Sequence, residues 1–329
     1  MTDTTHATID PDDAYVLILR EGAPGLPASD FQAALERHLP EWTIHLARTP
    51  DEERELLPKA TIVAGNGFSM ERLELAKNLR LYAHASSGVG SLPLEELKRR
   101  GIAVTNGSGL MPCISEQVLG YLLIFVRDLR EGMRRQKRRE WRHYQPGELT
   151  GSTVTVVGLG SIGTQLLKRL EPFGVERLGV RHTPEKGGSA DEVFGYDEIH
   201  EPFSRSDYIV LSCPLTDKTR RLVGRPELQT LSNDAVLVNV ARGPVVDTDE
   251  LVNALRRNVI GGAALDVTDP EPLPAEHPLW EFDNVLLTPH NAGSSPGLLD
   301  RVAALLAENV AQADERGEFT GLKNQVVEP

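Results

Sequence analysis

Three charged residues each stand just after an apolar run in the second half of the chain. Arg242 lies in the sequence NVARGP, Glu271 in DVTDPEP and His290 in TPHNAG. Apolar runs of this kind are typical of buried strands, and ligands of open α/β sheets bind beyond the carboxyl ends of the strands. We therefore expect these three side chains to converge on one crevice.

The three residue types suit the reduction of a 2-keto acid. That reaction transfers a hydride to the carbonyl carbon and a proton to the carbonyl oxygen, while the substrate carboxylate is held by a positively charged or hydrogen-bonding group. Histidine titrates near neutrality, which favours His290 as the acid. Glu271 can hold the other ring nitrogen and favour the protonated ring. Arg242 offers a planar, permanent charge to the carboxylate and the polarised carbonyl oxygen. Taken singly, each residue also fits an ordinary surface loop.

The segment containing Gly158, Gly160 and Gly163 has the spacing GxGxxG. It directly follows the apolar run 153–157 and opens the helical pattern 164–170, which is the context that a dinucleotide site requires. In such a turn the first glycine allows the bend, the second lets a pyrophosphate approach the backbone, and the third lets the helix pack on the strand. The pyrophosphate then lies at the helix N-terminus, beside free amides.

Cofactor preference depends on the end of the next strand, about 20 residues further on, where an NAD site usually carries an acid. Here that strand ends in LGVRHTP, so that Arg181, His182 and Thr183 stand in its place. Arginine suits a 2′-phosphate by charge and by fork geometry. We predict a preference for NADP(H), with NAD(H) as the alternative cofactor if Arg181 only stacks on the adenine.

Apolar runs alternate with helical patterns along the chain, as in parallel sheets with helices on both faces. The runs that we expect to form strands are 15–19, 43–46, 61–64, 81–84 and 102–105, then 153–157, 177–180, 208–211, 236–240, 262–266 and 285–288. Helices are expected at 30–38, 92–100 and 296–315, with one long helix over about 112–141. We expect two doubly wound α/β domains, the second inserted into the first.

The composition bounds the class of protein. A chain of 329 residues with 40% hydrophobic residues can build two cores. A net charge of −13 disfavours a nucleic-acid partner, and the basic run 134–139 fits the solvated end of a helix. Only 8 of the 35 basic residues are lysines, against 48 acidic residues. We hypothesise adaptation to strong salt, the alternative being a merely acidic protein.

The start of the chain has no secretory pattern, and no run of 18 apolar residues occurs. Cys113 and Cys213 are the only cysteines, so neither a disulfide framework nor a cysteine-based metal site is expected. These features predict a cytoplasmic protein without a membrane partner.

These motifs resemble the D-2-hydroxyacid dehydrogenase family, over nearly the whole chain and most densely from Trp141 to Gly293. The resemblance places the family's catalytic residues on Arg242, Glu271 and His290. It implies a Rossmann cofactor domain, residues 108–295, inserted into a flavodoxin-like substrate domain of residues 1–107 and 296–329. It also implies a D product and a homodimer.

Further site residues are predicted for the cofactor and for the substrate. Cofactor contacts are expected at Gly158, Gly160, Ser161, Ile162, Gly163, Arg181, His182, Thr183, Cys213, Pro214, Val240 and Asp266. Of these, the resemblance places Asp266 against the nicotinamide and Cys213 and Pro214 along the adenosine. Substrate contacts are expected from Arg242 and His290, and the resemblance adds the backbone amides of Ser87, Gly88 and Val89.

Several functions remain open within this class. In formate dehydrogenases of this family the histidine pairs with a Gln, in a Gln-x-His pattern, rather than with a Glu. Glu271 therefore favours hydroxy-acid chemistry. The loop 84–91 holds no Lys or Arg for a phosphate, which disfavours phosphoglycerate. We expect an NADP(H)-preferring reductase of small 2-keto acids. The alternatives are a glyoxylate/hydroxypyruvate reductase, a phosphoglycerate dehydrogenase or a non-enzymatic NAD(P)-sensing binding protein.

Overall fold

The computed structural model describes residues 15–19 and 26–329, which divide into two compact units. The first unit comprises the described residues up to Met111 together with Ser294–Pro329, and the second comprises Pro112–Gly293. The expected domain boundaries, after residues 107 and 295, stay predictions. No helix in the described ranges is long and apolar enough to cross a membrane.

The described residues form thirteen strands and eleven α-helices, numbered here in chain order. The strands are β1 Tyr15–Ile18, β2 Thr43–Leu46, β3 Ile62–Gly65, β4 Leu81–His84, β5 Ala103–Thr105, β6 Thr153–Val157, β7 Glu176–Val180, β8 Glu192–Phe194, β9 Tyr208–Leu211, β10 Val236–Asn239, β11 Gly262–Leu265, β12 Val285–Leu287 and β13 Gln325–Val327. The helices are α1 Ala28–His38, α2 Pro50–Leu56, α3 Met70–Leu75, α4 Leu94–Arg99, α5 Pro112–Val126, α6 Leu129–Arg138, α7 Ser161–Leu170, α8 His200–Arg205, α9 Arg225–Thr230, α10 Thr248–Arg256 and α11 Leu298–Arg316.

The first unit is built on a six-stranded sheet in the order β13-β5-β4-β3-β1-β2. Its five N-terminal strands pair in parallel, in the flavodoxin-like order 2-1-3-4-5. Strand β13 adds an antiparallel edge on β5, which sequence reasoning missed. Strands β3 and β4 are buried along their whole length because helices cover both faces, which explains their continuous apolar runs.

The second unit is built on a seven-stranded sheet in the order β12-β11-β10-β9-β6-β7-β8. Its strands pair in parallel throughout. The chain order reverses between β6 and β9, which is the point where open α/β sheets bind ligands. The predicted fold class, two doubly wound α/β domains, is thereby confirmed. Strand β8, at the edge of this sheet, was not predicted, because its sequence EVF holds only two apolar residues and only Phe194 is buried.

The prediction of a single long helix over residues 112–141 is wrong. Helix α5 ends at Val126, Asp128 adopts a left-handed backbone with φ of 43°, and α6 then ends at Arg138. The break falls where burial stops, since α5 buries seven residues and α6 buries none. Trp141, expected near the helix end, lies outside any helix or strand and is 99% exposed.

Candidate active site

His290 and Glu271 form a hydrogen-bonded pair in the second unit. Nδ1 of His290 lies 2.6 Å from Oε1 of Glu271, and the two side chains are 45% and 42% exposed. A carboxylate oxygen accepts, so Nδ1 carries the proton of this bond. Within the described residues Nε2 makes no hydrogen bond. The ring can therefore exchange a proton at Nε2 while Nδ1 stays on Glu271.

The loop after β12 owes its shape to Asp266, which follows β11 and is 3% exposed. Asp266 Oδ1 accepts the hydroxyl proton of Thr288 at 2.5 Å, and both carboxylate oxygens accept backbone amides of the same loop. The family resemblance placed Asp266 against the nicotinamide, and that role stays a prediction. In this structure its carboxylate faces the segment that carries His290.

Arg242 lies in the loop after β10. Within the described residues it makes no hydrogen bond to Glu271 or His290. Its Nη1 donates to the Ala241 carbonyl at 2.6 Å, and its side chain is half-buried. The turn is shaped by Asn239, whose amide donates to the Arg242 carbonyl and accepts from the Ala241 amide. Sequence reasoning missed Asn239, although an Asx turn directly after a strand is a recognisable signal.

The loops after β10 and β11 touch. A Cβ atom on Gly243 would lie 1.9 Å from the Thr268 carbonyl oxygen, so only glycine fits there. This contact holds the segment after Arg242 against the segment that leads to Glu271. Two of the three loops predicted to converge are thus in direct contact, and His290 joins the third to Glu271.

The glycine motif forms the tight turn between β6 and α7. Gly158 has φ of 102°, and a Cβ there would lie 2.5 Å from the Cys213 nitrogen. A Cβ on Gly163 would lie 2.1 Å from the Gly158 oxygen. Both positions therefore require glycine. The Ser212 hydroxyl, which sequence reasoning did not single out, donates to the Gly158 carbonyl at 2.9 Å and fixes this turn against β9.

Gly160, the N-cap of α7, differs from the other two glycines of the motif. A Cβ there would meet nothing within 4 Å, so the turn does not itself explain the glycine. Within the described chain the amides of Gly160 and Ile162 donate no hydrogen bond, and Ser161 and Ile162 form the half-buried first turn of α7. Open space beside free amides at a helix N-terminus is what a pyrophosphate needs, so these residues fit a dinucleotide.

A basic cluster lies at the end of β7. Arg181 is half-buried and its Nη1 donates to the Gly187 carbonyl at 2.7 Å, while His182 and Thr183 are exposed. The Nζ of Lys218, from the loop after β9, lies 3.2 Å from Nε2 of His182. The sequence did not single out Lys218, because 36 residues separate it from His182.

An aromatic side chain backs this cluster. Tyr196 stacks on His182 with ring centroids 6.2 Å apart. Burial is the main cause that raises the pKa of Tyr196 to about 12, so its hydroxyl stays protonated. Sequence reasoning missed Tyr196 together with the short strand β8 that precedes it.

The segments after β9 and β10 carry buried apolar residues at positions where cofactor contacts are predicted. Cys213 is 3% exposed and Val240 is 7% exposed, whereas Pro214 is exposed. Burial raises the pKa of the Cys213 thiol to about 11, so this cysteine supplies shape rather than a nucleophile. The described residues hold no group of three or more His, Cys, Asp or Glu placed to bind a metal.

The loop predicted to hold the substrate carboxylate follows β4 in the first unit. In the described chain the amides of Ser87, Gly88 and Val89 donate no hydrogen bond. Their loop is held through its carbonyls: His84 Nε2 donates to the Gly88 oxygen at 3.0 Å, and Asn106 Nδ2 donates to the Ser87 oxygen at 2.8 Å. Free amides on an anchored loop fit an anion.

Comparison with known proteins identifies the family. The model of the NAD binding domain of D-isomer specific 2-hydroxyacid dehydrogenases matches residues 119–292. The glyoxylate reductase/hydroxypyruvate reductase of Mus musculus is 38% identical over 248 residues, which are 73% of this chain and 75% of the relative. The D-3-phosphoglycerate dehydrogenase of Methanocaldococcus jannaschii is 32% identical over 278 residues, but this chain spans only 53% of its length.

A solved structure of the same family is also similar to this chain. The D-isomer specific 2-hydroxyacid dehydrogenase from Xanthobacter autotrophicus Py2, in complex with NADPH and MES, superposes with a TM-score of 0.80 at 28% identity and covers 95% of this chain and 98% of its own. The chain belongs to the D-isomer specific 2-hydroxyacid dehydrogenase family. This confirms the predicted class, an NAD(P)-dependent oxidoreductase acting on 2-hydroxy acids.

Proposed function

We propose that this enzyme is an NADP(H)-preferring D-2-hydroxyacid dehydrogenase that reduces small 2-keto acids, with His290 as the acid. The observation that carries the proposal is the 2.6 Å bond between His290 Nδ1 and Glu271 Oε1, which leaves Nε2 available to the substrate. The similarity to glyoxylate/hydroxypyruvate reductase supports small 2-keto acids as the substrate class.

The roles of the residues follow from their chemistry. When bound, the reduced nicotinamide cofactor supplies a hydride. His290 delivers a proton from Nε2 to the carbonyl oxygen, and Glu271 keeps the ring oriented and offsets the imidazolium charge. Arg242 turns from the Ala241 carbonyl toward the substrate and binds its carboxylate and carbonyl oxygen. In the first unit, the free amides of Ser87, Gly88 and Val89 are suited to binding a carboxylate.

The preference for NADP(H) rests on the basic cluster at the end of β7. Arg181 and His182 stand where an NAD site usually carries an acid, Lys218 from the loop after β9 lies beside His182, and a phosphate can accept hydrogen bonds from all three. The relative from Xanthobacter, whose structure holds NADPH, supports the same preference.

The test is a set of initial rates with NADPH and with NADH, across pyruvate, branched 2-keto acids, phenylpyruvate, glyoxylate and hydroxypyruvate. We expect NADPH-linked reduction of one substrate class and an R (D) product by chiral chromatography. Reduction with NADH alone would overturn the cofactor preference. Cofactor binding without turnover on any of these acids would overturn the proposed reaction.

A homodimer is proposed with helix α6 in its interface. Within one chain α6 buries no residue, and it exposes Leu129 by 46% and Met133 by 57%, followed by the fully exposed Trp141. A second copy would remove these apolar side chains from water. Light scattering coupled to size exclusion checks the mass, and a monomer at micromolar concentration would contradict the proposal.

Salt adaptation is proposed from the excess of acidic residues, at a net charge of −13. We expect the Tm to rise from dilute buffer to molar KCl, and full thermal stability in low salt would contradict this. The cytoplasmic location stays a prediction from the sequence.

A further inference from the structure

A row of polar side chains, two of them buried and two half-buried, connects helix α5 with the loop that carries His290. Gln117 and Tyr121 lie one turn apart on α5, and Thr288 and Asp266 follow β12 and β11. Tyr121 and Asp266 are each only 3% exposed. Polar groups buried this deeply are unfavourable unless they are hydrogen-bonded, so the bonds that they make need an explanation.

The direction of these hydrogen bonds is fixed by the acceptor at one end. The Asp266 carboxylate accepts the Thr288 hydroxyl proton at 2.5 Å. Thr288 Oγ1 must then accept from the Tyr121 hydroxyl, also at 2.5 Å. The Tyr121 oxygen in turn accepts from the Gln117 amide. Donors therefore run one way, from Gln117 through Tyr121 and Thr288 to Asp266, and bonds aligned in this way reinforce one another.

Asp266 also accepts hydrogen bonds from the backbone around His290. The His290 amide donates to the Asp266 carbonyl at 2.8 Å, the Asn291 amide to Oδ1 at 3.1 Å and the Ala292 amide to Oδ2 at 3.0 Å. His290 has φ of 51°, a left-handed conformation that turns successive amides toward one acceptor. The position of the His290 backbone thus depends on where the Asp266 carboxylate is held.

Helix α5 contacts this loop at more than one point. The Gln117 amide also lies 3.2 Å from Thr288 Oγ1 and 3.3 Å from Asp266 Oδ1. Burial raises the pKa of Tyr121, so the phenol stays a donor across the working pH range. Nothing in the sequence pattern links the two ends, because 167 residues separate Tyr121 from Thr288.

We propose that Tyr121 and Gln117 are positioning residues that hold the His290 loop through Thr288 and Asp266. Its catalytic consequence rests on the proposed function, in which His290 delivers the proton. Its structural consequence, a loop fastened to α5, does not depend on any substrate.

The decisive variant is Tyr121→Phe, which keeps the ring and removes the donor. Its matched control is Tyr144→Phe, which removes a hydroxyl that donates to the Asp128 carbonyl elsewhere in the same unit. Thr288→Val breaks the row at its centre with little change of volume, and Thr288→Ser restores a hydroxyl at the same place. Thermal unfolding of each variant shows whether it folds.

Two readouts separate this proposal from the proposed function. Amide hydrogen exchange in the peptide that spans residues 288–293 should be about tenfold faster in Tyr121→Phe and Thr288→Val than in the wild type, because local opening costs less free energy without the bonds to α5. Tyr144→Phe and Thr288→Ser should match the wild type. With a 2-keto acid substrate, kcat should fall about tenfold in the first two variants, while the KM for the acid and the Kd for NADPH change less than twofold.

Unchanged exchange in both Tyr121→Phe and Thr288→Val would overturn the proposal, whatever the activity. Faster exchange with unchanged kcat would overturn the positioning of His290 by this row. If the wild type reduces no 2-keto acid, the proposed function fails, and the exchange measurement alone decides whether the loop is fastened to α5.

Discussion

The two halves of the seven-stranded sheet present different chemistry at their carboxyl ends. Beyond β6 the chain offers glycine and free backbone amides, at Gly160 and Ile162. Beyond β10, β11 and β12 it offers the charged side chains Arg242, Glu271 and His290. One half is suited to holding a cofactor by its backbone, and the other is suited to proton transfer and charge stabilisation.

The two halves also differ in how they are built. The glycine turn is determined by backbone sterics, because a Cβ atom on Gly158 would clash with the Cys213 backbone and one on Gly163 with the Gly158 carbonyl. The charged half is assembled from loops that are distant in sequence and held by contacts such as that between Gly243 and Thr268. Substitutions in the charged half should therefore damage turnover, and substitutions in the cofactor half should change which cofactor binds.

The largest effect is expected for His290→Ala. Loss of the acid should lower kcat about 10²–10⁴-fold while the Kd for NADPH, from fluorescence titration, stays the same. The control is His200→Ala, because His200 forms another His–Glu pair in this unit, with Glu227 at 3.2 Å. Residual turnover above a tenth of the wild-type value would remove His290 from the acid role.

Arg242→Ala tests the other charge in the same half. We expect kcat/KM for the keto acid to fall about 10²–10³-fold, because a fixed positive charge at the developing oxyanion is lost. Arg242→Lys should recover only part of this, since a point charge does not replace a planar fork. Arg225→Ala, which removes a guanidinium paired with Glu250, is the control. An unchanged KM and kcat in Arg242→Ala would contradict the assignment.

In the cofactor half, Arg181→Asp should reverse the preference between the two cofactors. Replacing a donor to the 2′-phosphate by an acid that suits the ribose hydroxyls should shift the ratio of kcat/KM values, NADPH over NADH, by about tenfold to a hundredfold. The kcat with the better cofactor should stay within a few fold. A ratio that does not move would show that Arg181 has no part in the choice.

The sequence predicted most of what is local in this molecule. Four predicted runs, 43–46, 81–84, 153–157 and 208–211, became strands with the predicted bounds. The last three are buried almost throughout, and strands buried on both faces read as continuous apolar runs. The glycine motif was readable because its spacing directly follows an apolar run and opens a helical pattern, and Gly158 and Gly163 have steric reasons in the structure. The family and the enzyme class followed from these motifs.

What the sequence could not show depends on tertiary contacts. The end of α5 is set by burial, which stops after Val126, and no Gly or Pro marks the break at Asp128. Strands β8 and β13 are three residues long and carry too little pattern. Lys218 and Tyr121 meet their partners only in the folded chain, across 36 and 167 residues.

The smallest effect is expected for Lys218→Gln, at the outer edge of the cofactor half. Lys218 and His182 are both exposed, so water and salt screen the contribution of Lys218 to phosphate binding. An exposed charge pair is worth at most about 1 kcal/mol, so the Kd for NADPH should rise no more than about fivefold in low salt. The Kd for NADH should not change, and the difference should shrink as KCl is added. Lys168→Gln, at the exposed end of α7, should leave both constants unchanged. If Lys218→Gln weakens NADPH and NADH equally, Lys218 acts on the fold of the loop after β9 and not on the 2′-phosphate, and the recognition of the phosphate falls to Arg181 and His182.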